Sequence, residues 1–233
     1  MKHKKQRLCL LVCGALCLFV LNTKAQTVVS LNAGFNASKV AWKETRNGAA
    51  VKNKFNPGYQ LGVLANIPIA LDRRPITLQT GLLFSTKGYR EEYYEGSRDG
   101  ILCVTPWYAE LPLNILYYLP GDIERFFIGA GGYIAYGLGG RWTLKYNTSW
   151  GWDTGSIEYT DISKQDPDDD KFNYGRRADL GVNLLAGMNI GSSVYLQLNG
   201  QFGLRNIAPL ENNKVTSEEF RNMGISLAVG YHL

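Results

Sequence analysis

The sequence predicts an all-β fold: one eight-stranded antiparallel up-and-down transmembrane β-barrel, with short periplasmic turns and long extracellular loops. The first observation is the C-terminus, where residues 225–233 alternate between apolar side chains and small or polar ones. The second is that seven more segments alternate in the same way. The third is that no apolar run of the roughly 20 residues needed for a helical span follows the N-terminal segment. Repeated alternating segments separated by turn residues are typical of membrane barrels.

An export signal is predicted before the barrel. Residues 1–7 are rich in lysine and arginine, residues 8–21 are apolar, and Thr23-Lys24-Ala25 places small residues just before a cleavage point. This is the pattern of a secretory signal peptide. An uncleaved anchor is the alternative, but the apolar run is shorter than a membrane span requires. We therefore expect residues 1–25 to be a cleaved signal peptide and residues 26–233 to form the barrel domain.

The charge and cysteine content look different once this signal is set aside. The chain has 25 Lys and Arg against 20 Asp and Glu, but five of the basic residues and none of the acids precede residue 26. The isoelectric point near 8.9 therefore gives no reason to expect nucleic acid as a partner. Three of the four cysteines also lie in the signal. Cys103 alone cannot form an intrachain disulfide or a cysteine-based metal cluster, and we expect no cofactor.

Each predicted strand has one apolar face and one polar or glycine face. In the first strand Val29, Leu31 and Phe35 alternate with Ser30 and Asn32. A soluble ligand-binding barrel would have an apolar lumen and a polar exterior, so the apolar faces here are predicted to meet lipid. In chain order, these faces lie in residues 29–35, 59–69, 76–84, 109–117, 126–136, 180–190, 194–204 and 225–233.

The connections between these strands alternate in length. Short ones fall at residues 71–75, 120–122 and 191–192, and long ones at 38–58, 90–106, 138–176 and 206–219. In outer-membrane barrels the short turns face the periplasm and the long loops face outward. Aromatic residues bracket the apolar band, as they do at membrane interfaces. The predicted lower girdle is Tyr117, Tyr118, Phe126 and Tyr231, and the predicted upper one is Tyr59, Tyr89, Trp107, Tyr108 and Tyr136.

Polar and charged residues on the inner faces form a candidate lumen network. Eight strands enclose a lumen that side chains alone can fill. Opposite charges confined there pair and form hydrogen bonds, so we expect a closed lumen. A narrow porin-like conductance or small-solute transport barrel is the alternative. The candidate network is Glu110, Lys87, Arg177, Arg205, Gln79, Gln197 and Gln201.

Several motifs resemble those of the small outer-membrane β-barrel domain common in Bacteroidota, known as porin-family or PorT-family proteins. The resemblance covers essentially all of the mature chain and implies the barrel fold and an outer-membrane location. Because some relatives are accessory parts of secretion machinery, it also implies a structural or interaction component of a secretion or uptake complex. The motifs are Leu31-Asn32-Ala33-Gly34-Phe35-Asn36-Ala37-Ser38, residues 58–63, 78–88, 108–113 and 127–133, and Gly230-Tyr231-His232-Leu233.

No arrangement of residues predicts catalysis. Barrel enzymes that act on lipid need a histidine near a serine or carboxylate in the outer half of the barrel. After signal cleavage the remaining histidine is His232, which is next to the C-terminus and is therefore expected at the periplasmic rim. Cys103 has no histidine partner in the predicted loops. We expect a protein that is not an enzyme.

The third predicted extracellular loop is rich in aromatic residues. Exposed aromatics favour a recognition surface for a protein or a glycan. Outer-membrane lipid and lipopolysaccharide are also expected to contact the barrel. Alternatively, two strands continue above the membrane as a hairpin, and both interpretations can hold together. A calcium-loop spacing at Asp166, Asp168 and Asp170 fails at Lys171 and Arg177, so no metal is expected. The candidate recognition residues are Trp142, Tyr146, Trp150, Trp152 and Tyr159.

Overall fold

The computed structural model describes residues 27–43, 53–71, 74–95, 98–120, 125–147, 151–159, 171–211, 214–215 and 219–233. The predicted signal peptide, Trp150 and the aspartates at 166–170 lie outside the described residues. The described strands are β1 Val28–Lys43, β2 Lys54–Leu71, β3 Arg74–Thr86, β4 Tyr89–Glu95, β5 Arg98–Tyr118, β6 Phe126–Tyr146, β7 Trp152–Tyr159, β8 Lys171–Gly175, β9 Ala178–Ile190, β10 Val194–Gly203, β11 Leu210–Glu211, β12 Lys214–Val215 and β13 Glu219–His232.

Eight of these strands close into a ring. Antiparallel pairing runs from β1 through β2, β3, β5, β6, β9, β10 and β13, and β13 pairs back to β1. The ring leaves no open sheet edge within the lipid, where an unpaired backbone group would be costly. The predicted antiparallel barrel is confirmed. No helix in the described part of the chain is long and apolar enough to cross a membrane.

The alternation in the sequence sets the two faces of the wall. Phe35 is 81% exposed on the outside, and Leu82 and Ile134 are exposed there too. Ser30, Asn32 and other polar residues on the opposite face are buried. In water this arrangement would leave a continuous apolar band exposed to solvent. Each Å² of apolar surface left in water forgoes roughly 25 cal/mol of stabilising free energy. The chain is therefore folded for a lipid surround.

Two strands of the ring are much longer than a membrane requires. β5 and β6 each contain 21 residues, whereas about 9–11 residues suffice to cross the bilayer. Their outer halves pair with β4 and β7, and β8 pairs in parallel with β7. We call this part, β4, β7, β8 and residues 98–107 and 137–146, the outer extension. The predicted long loops at 90–106 and 138–176 thus contain strands.

One glycine allows the outer extension to close over the lumen. A Cβ atom on Gly137 would lie 2.3 Å from Cζ of Tyr159, so only glycine leaves room for this ring. The pairing of β5 with β6 shifts register between Trp107 and Tyr108, next to the same point. Tyr89 and Tyr108, which were predicted for the upper girdle, are instead buried inside the barrel. A buried position stabilises these large rings more than an interfacial one would, because the other rings of this region offer them apolar contacts.

Candidate functional site

The lower lumen is filled by an amide network. The side-chain amide of Gln79 donates hydrogen bonds to Asn66 Oδ1 at 3.3 Å and to Gln197 Oε1 at 3.1 Å. Gln79 Oε1 accepts one from Asn114 Nδ2 at 3.2 Å, and Asn183 Nδ2 donates to Asn114 Oδ1 at 3.0 Å. The network joins β2, β3, β5, β9 and β10 across the lumen. Buried amides need such partners, and here they supply them to one another.

An ionic cluster lies above this network. Lys87 Nζ is 3.1 Å from Glu110 Oε2 and 3.4 Å from Asp179 Oδ2. The three residues are 4%, 2% and 1% exposed. Gln201 Nε2 donates a hydrogen bond to Glu110 Oε1, and the ammonium group lies 4.1 Å from the centre of the Tyr133 ring. Charges removed from water this completely are tolerated only with such close partners.

An aromatic cap closes the lumen above the ionic cluster. Its rings meet edge to face: the Tyr159 ring centre lies 5.7 Å from that of Tyr108 and 5.9 Å from that of Tyr174, and Tyr174 and Phe220 are 5.5 Å apart. Such contacts are favourable for ring quadrupoles. Burial raises the pKa of Tyr174 and, from β4, of Tyr89. The aromatic cap is Tyr89, Tyr108, Tyr159, Tyr174 and Phe220, packed with Val40, Val104, Ile157 and Ile207.

Hydrogen bonds connect the aromatic cap to the ionic cluster. The Tyr174 hydroxyl donates to Asn222 Oδ1 at 2.9 Å, and Asn222 Nδ2 donates to Asp179 Oδ2 at 2.9 Å. The Tyr133 hydroxyl donates to the same Asp179 oxygen at 3.3 Å. Through these bonds, β8 in the outer extension is tied to β13, β9 and β6 of the ring. The cap and the lumen therefore form one packed unit.

Two cavities show how far the filling reaches. Beside Lys87 and Tyr133 a cavity of about 10 Å³ remains, which is roughly the room one water molecule needs. At the periplasmic mouth a wider cavity of about 640 Å³ is lined by residues that include Asn66, Thr77 and His232. The wide opening thus lies below the amide network. Above it, the cavity beside Lys87 and Tyr133 has room for about one water molecule.

The predicted lumen residues fall into two groups. Lys87, Glu110, Gln79, Gln197 and Gln201 lie in the amide network or the ionic cluster.

Arg177 and Arg205 lie elsewhere. Arg177 is exposed, with its guanidinium 6.0 Å from the centre of the Tyr136 ring and 5.9 Å from that of Tyr159. It can reach outward because β6 leaves β9 for β7 at this height. Arg205 is half-buried just beyond β10, where its backbone N–H donates to the Leu180 carbonyl at 3.3 Å. Arg177 therefore does not belong to the lumen network as predicted, and Arg205 forms no side-chain hydrogen bond or ion pair with that network within the described residues.

Sequence reasoning missed several members of these networks. Asp179, Asn114, Asn183, Asn222 and Tyr133 were not singled out, although all are buried at the centre of the lumen. Asn114, Tyr133 and Asn183 lie on the inner faces of predicted strands, and Asp179 and Asn222 continue those faces just before two of the strands. Their mutual contacts depend on the register of strands distant in sequence, which no local pattern reveals.

The candidate recognition residues also separate. Tyr159 is buried in the aromatic cap and its hydroxyl donates to the Trp107 carbonyl at 3.3 Å, so it does not belong to an exposed surface. Trp142 and Tyr146 are half-buried, in phase with buried Leu144. This is the geometry of the predicted hairpin alternative. Trp152 is 70% exposed at the end of the extension.

Hydrogen bonds order the outermost end of the extension, which we call the tip: Asp99, Tyr146, Asn147, Trp152 and Asp153. The Tyr146 hydroxyl donates to Asp153 Oδ2 at 2.6 Å. Asn147 Nδ2 donates to Asp99 Oδ2 at 3.0 Å, and its backbone N–H donates to the Asp99 carbonyl, also at 3.0 Å. The exposed Trp152 indole therefore lies at the same end as the Asp99 and Asp153 carboxylates, which hydrogen bonds hold in place. A preordered aromatic surface loses less entropy when it binds.

The residues considered for catalysis or metal binding lie apart from one another in the described structure. The described residues contain no cluster of three His, Cys, Asp or Glu side chains placed to hold a metal ion. His232 lies at the periplasmic end, where its ring stacks on Tyr195 at 5.1 Å. Cys103 is a free, partly exposed thiol on β5.

Comparison with protein families bears directly on this architecture. The outer membrane protein beta-barrel domain family matches residues 24–208, well over half of the chain. The chain belongs to this family. As a family member with a closed antiparallel ring and an apolar exterior, it is an outer-membrane protein. No curated protein sequence matches it significantly.

Solved outer-membrane barrels resemble the chain at low identity. Ail, the attachment invasion locus protein of Yersinia pestis, is 12% identical, with 89% of this chain and 99% of that chain covered and a TM-score of 0.41. Neisserial surface protein A is 13% identical, with 91% and 100% covered and a TM-score of 0.40. The N-terminal β-barrel domain of Pseudomonas aeruginosa OprF is 12% identical, with 89% and 100% covered and a TM-score of 0.28. Likeness at this level does not transfer function.

Proposed function

We propose that this outer-membrane barrel is a non-enzymatic structural or interaction component that does not conduct solutes. The observation that supports this proposal is the doubly filled lumen, in which the ionic cluster of Lys87, Glu110 and Asp179 lies beneath the aromatic cap. Solute passage would require separating buried charges from their partners and moving packed rings, and both steps are costly. The barrel instead acts as a rigid support for its outer extension.

The tip is the proposed recognition element. Trp152 offers a large exposed aromatic surface, and the carboxylates of Asp99 and Asp153 and the amide of Asn147 offer polar contacts around it. This combination suits a protein or glycan partner outside the cell. The earlier resemblance to PorT-like Bacteroidota barrels supports an accessory role in a secretion or uptake complex. Residues 1–25 are proposed to direct export and to be removed.

The second candidate function is narrow conductance, favoured by the 640 Å³ cavity at the periplasmic mouth. Single-channel recording of the purified protein in planar bilayers separates the two functions. We expect no steady conductance from preparations whose unboiled gel migration shows a folded barrel. A steady conductance that scales with protein and is lost on heating would contradict the closed-lumen proposal and support transport.

A further inference from the structure

The outer extension has a lateral face that continues the lipid-facing surface of the barrel upward. Trp107, a girdle residue, is 38% exposed and pairs with Gly139. Two residues further along β6, Arg141 points to the same side and is exposed. Lys145 follows four residues later, also exposed, and pairs with Trp152. Because side chains alternate along a strand, this face looks outward over the membrane and away from the lumen.

Three residues lie side by side across the lower part of this lateral face. Arg141 on β6 pairs with Ser156 on β7, and Ser156 pairs with Lys171 on β8. All three are exposed. Neighbouring strands are about 4.8 Å apart, so the row spans about 10 Å between backbones. A guanidinium, a hydroxyl and an ammonium at this spacing match the oxygens of a phosphate group.

The lateral face carries an excess of positive charge. On β6, β7 and β8 this face presents Arg141, Lys145 and Lys171 and one carboxylate, Glu158, two residues from Ser156. On the neighbouring strands it also carries Asp99 and Glu92, and Glu92 forms an ion pair with Lys54. Lys171 and Glu158 have further contacts of their own, whereas Arg141 and Lys145 form no ion pair within the described residues.

On the opposite side of the barrel, two basic residues have partners within the described chain. Arg221 on β13 lies 3.6 Å from Glu219, and the Lys39 ammonium lies 5.1 Å from the centre of the Phe55 ring. Arg141 and Lys145 on the lateral face differ from Arg221, because neither forms an ion pair within the described residues.

We propose that Arg141, Ser156 and Lys171 bind a phosphate group of lipopolysaccharide in the surrounding outer leaflet, with Lys145 adding attraction from above. Two facts select this occupant. The row lies about 7 Å above Trp107 along the strand, and girdle rings settle at the headgroup level, so the row meets the phosphorylated layer just outside the hydrocarbon. The face is also continuous with the surface that contacts lipid. The row of Arg141, Ser156 and Lys171 lies below the tip, and Lys145 lies between them because it pairs with Trp152.

The test measures the binding of purified lipopolysaccharide to the detergent-solubilised protein. The variant Arg141→Gln/Lys145→Gln removes the two cations that have no ion pair in the described chain, and we expect about tenfold weaker binding. The matched control is Arg221→Gln, which removes a cation from the far side and should leave binding unchanged. Unboiled gel migration reports folding for every variant. Added salt should weaken wild-type binding, because exposed charges are screened.

A second ligand checks the chemistry. Enzymatically dephosphorylated lipopolysaccharide should bind wild-type protein as weakly as intact lipopolysaccharide binds the double variant. The proposal is overturned if the dephosphorylated form binds normally, if Arg221→Gln weakens binding as much as the double variant, or if the folded double variant retains full binding. Should the double variant fail to fold, the comparison of the two ligands on wild-type protein still decides the question.

Discussion

At the scale of single residues, Lys87 holds the buried ionic cluster together. Its ammonium group is the cation that faces both Glu110 and Asp179, and Gln201 and Asn222 bond to these same carboxylates. A buried ion pair is often no more stabilising than an apolar pair of equal volume. Removal of one partner, however, leaves buried charge without compensation.

We therefore expect Lys87→Met to destabilise the barrel by about 3–5 kcal/mol, because two carboxylates would remain in the lumen without a cation. The measurement is the free energy of unfolding in urea, with the protein in lipid vesicles. The control is the triple variant Lys87→Met/Glu110→Gln/Asp179→Asn, which removes the charges together and should recover most of the loss. A Lys87→Met protein as stable as wild type would show that the cluster contributes little.

At the scale of elements, β7 and β8 stabilise the barrel, in addition to any role that they have in binding a partner. They bring Ile157, Tyr159 and Tyr174 into the aromatic cap. The sequence alone describes this segment as a loop rich in aromatics, from which one expects recognition and little contribution to folding. The structure divides the two roles between the tip, which is exposed, and the strands behind it, which are buried.

Substitution of Trp152 and deletion of β7 and β8, which also removes Trp152, should then differ in their effect on stability. Trp152→Ser is expected to leave stability within about 0.5 kcal/mol, as for surface changes generally, while weakening capture of any partner from native outer membranes. Deletion of residues 152–175 should lower stability by about 1.5–3 kcal/mol for each large buried side chain removed. Unfolding curves and co-purification measured on both proteins provide the comparison. If the deletion leaves stability unchanged, the cap is not a stabilising element.

Strand positions were predictable because alternation is local. A two-residue period and turn residues located the strands of the ring and predicted which face meets lipid. The contacts of Tyr159 and Asp179 were not predictable in this way. They depend on how far β5 and β6 extend above the membrane and on the parallel pairing of β7 with β8, and both are settled by long-range packing.

At the scale of the whole molecule, the protein contains two packing environments. Within the membrane, apolar side chains face lipid, and the lumen is filled by polar side chains together with a small apolar cluster of Leu116, Phe127, Leu185 and Tyr195. Above it, the outer extension and the upper ends of the ring strands together bury an aromatic core, as a water-soluble protein does. The two environments should respond differently to solution conditions.

Alkaline pH should loosen the outer extension before the barrel. Burial raises the pKa of Tyr89, Tyr159 and Tyr174 above the ordinary value of 10.0. A raised folded-state pKa means that their contribution to stability is complete below pH 10 and falls as the pH rises further, because the unfolded state ionises first. We expect tyrosinate absorbance to appear in a late, cooperative step while far-ultraviolet circular dichroism still reports a barrel. Tyr174→Phe should diminish that step, and simple titration near pH 10 without cooperativity would count against the cap.

The contact between Gly137 and Tyr159 also bears on how this protein can diverge over evolutionary time. A side chain at position 137 would collide with the ring, so Gly137 cannot be replaced while Tyr159 remains, and the rings packed against Tyr159 limit replacement of that tyrosine. Trp152 has no such constraint from its surroundings. We therefore expect homologous sequences to vary at Trp152 much more than at the packed positions of the interior.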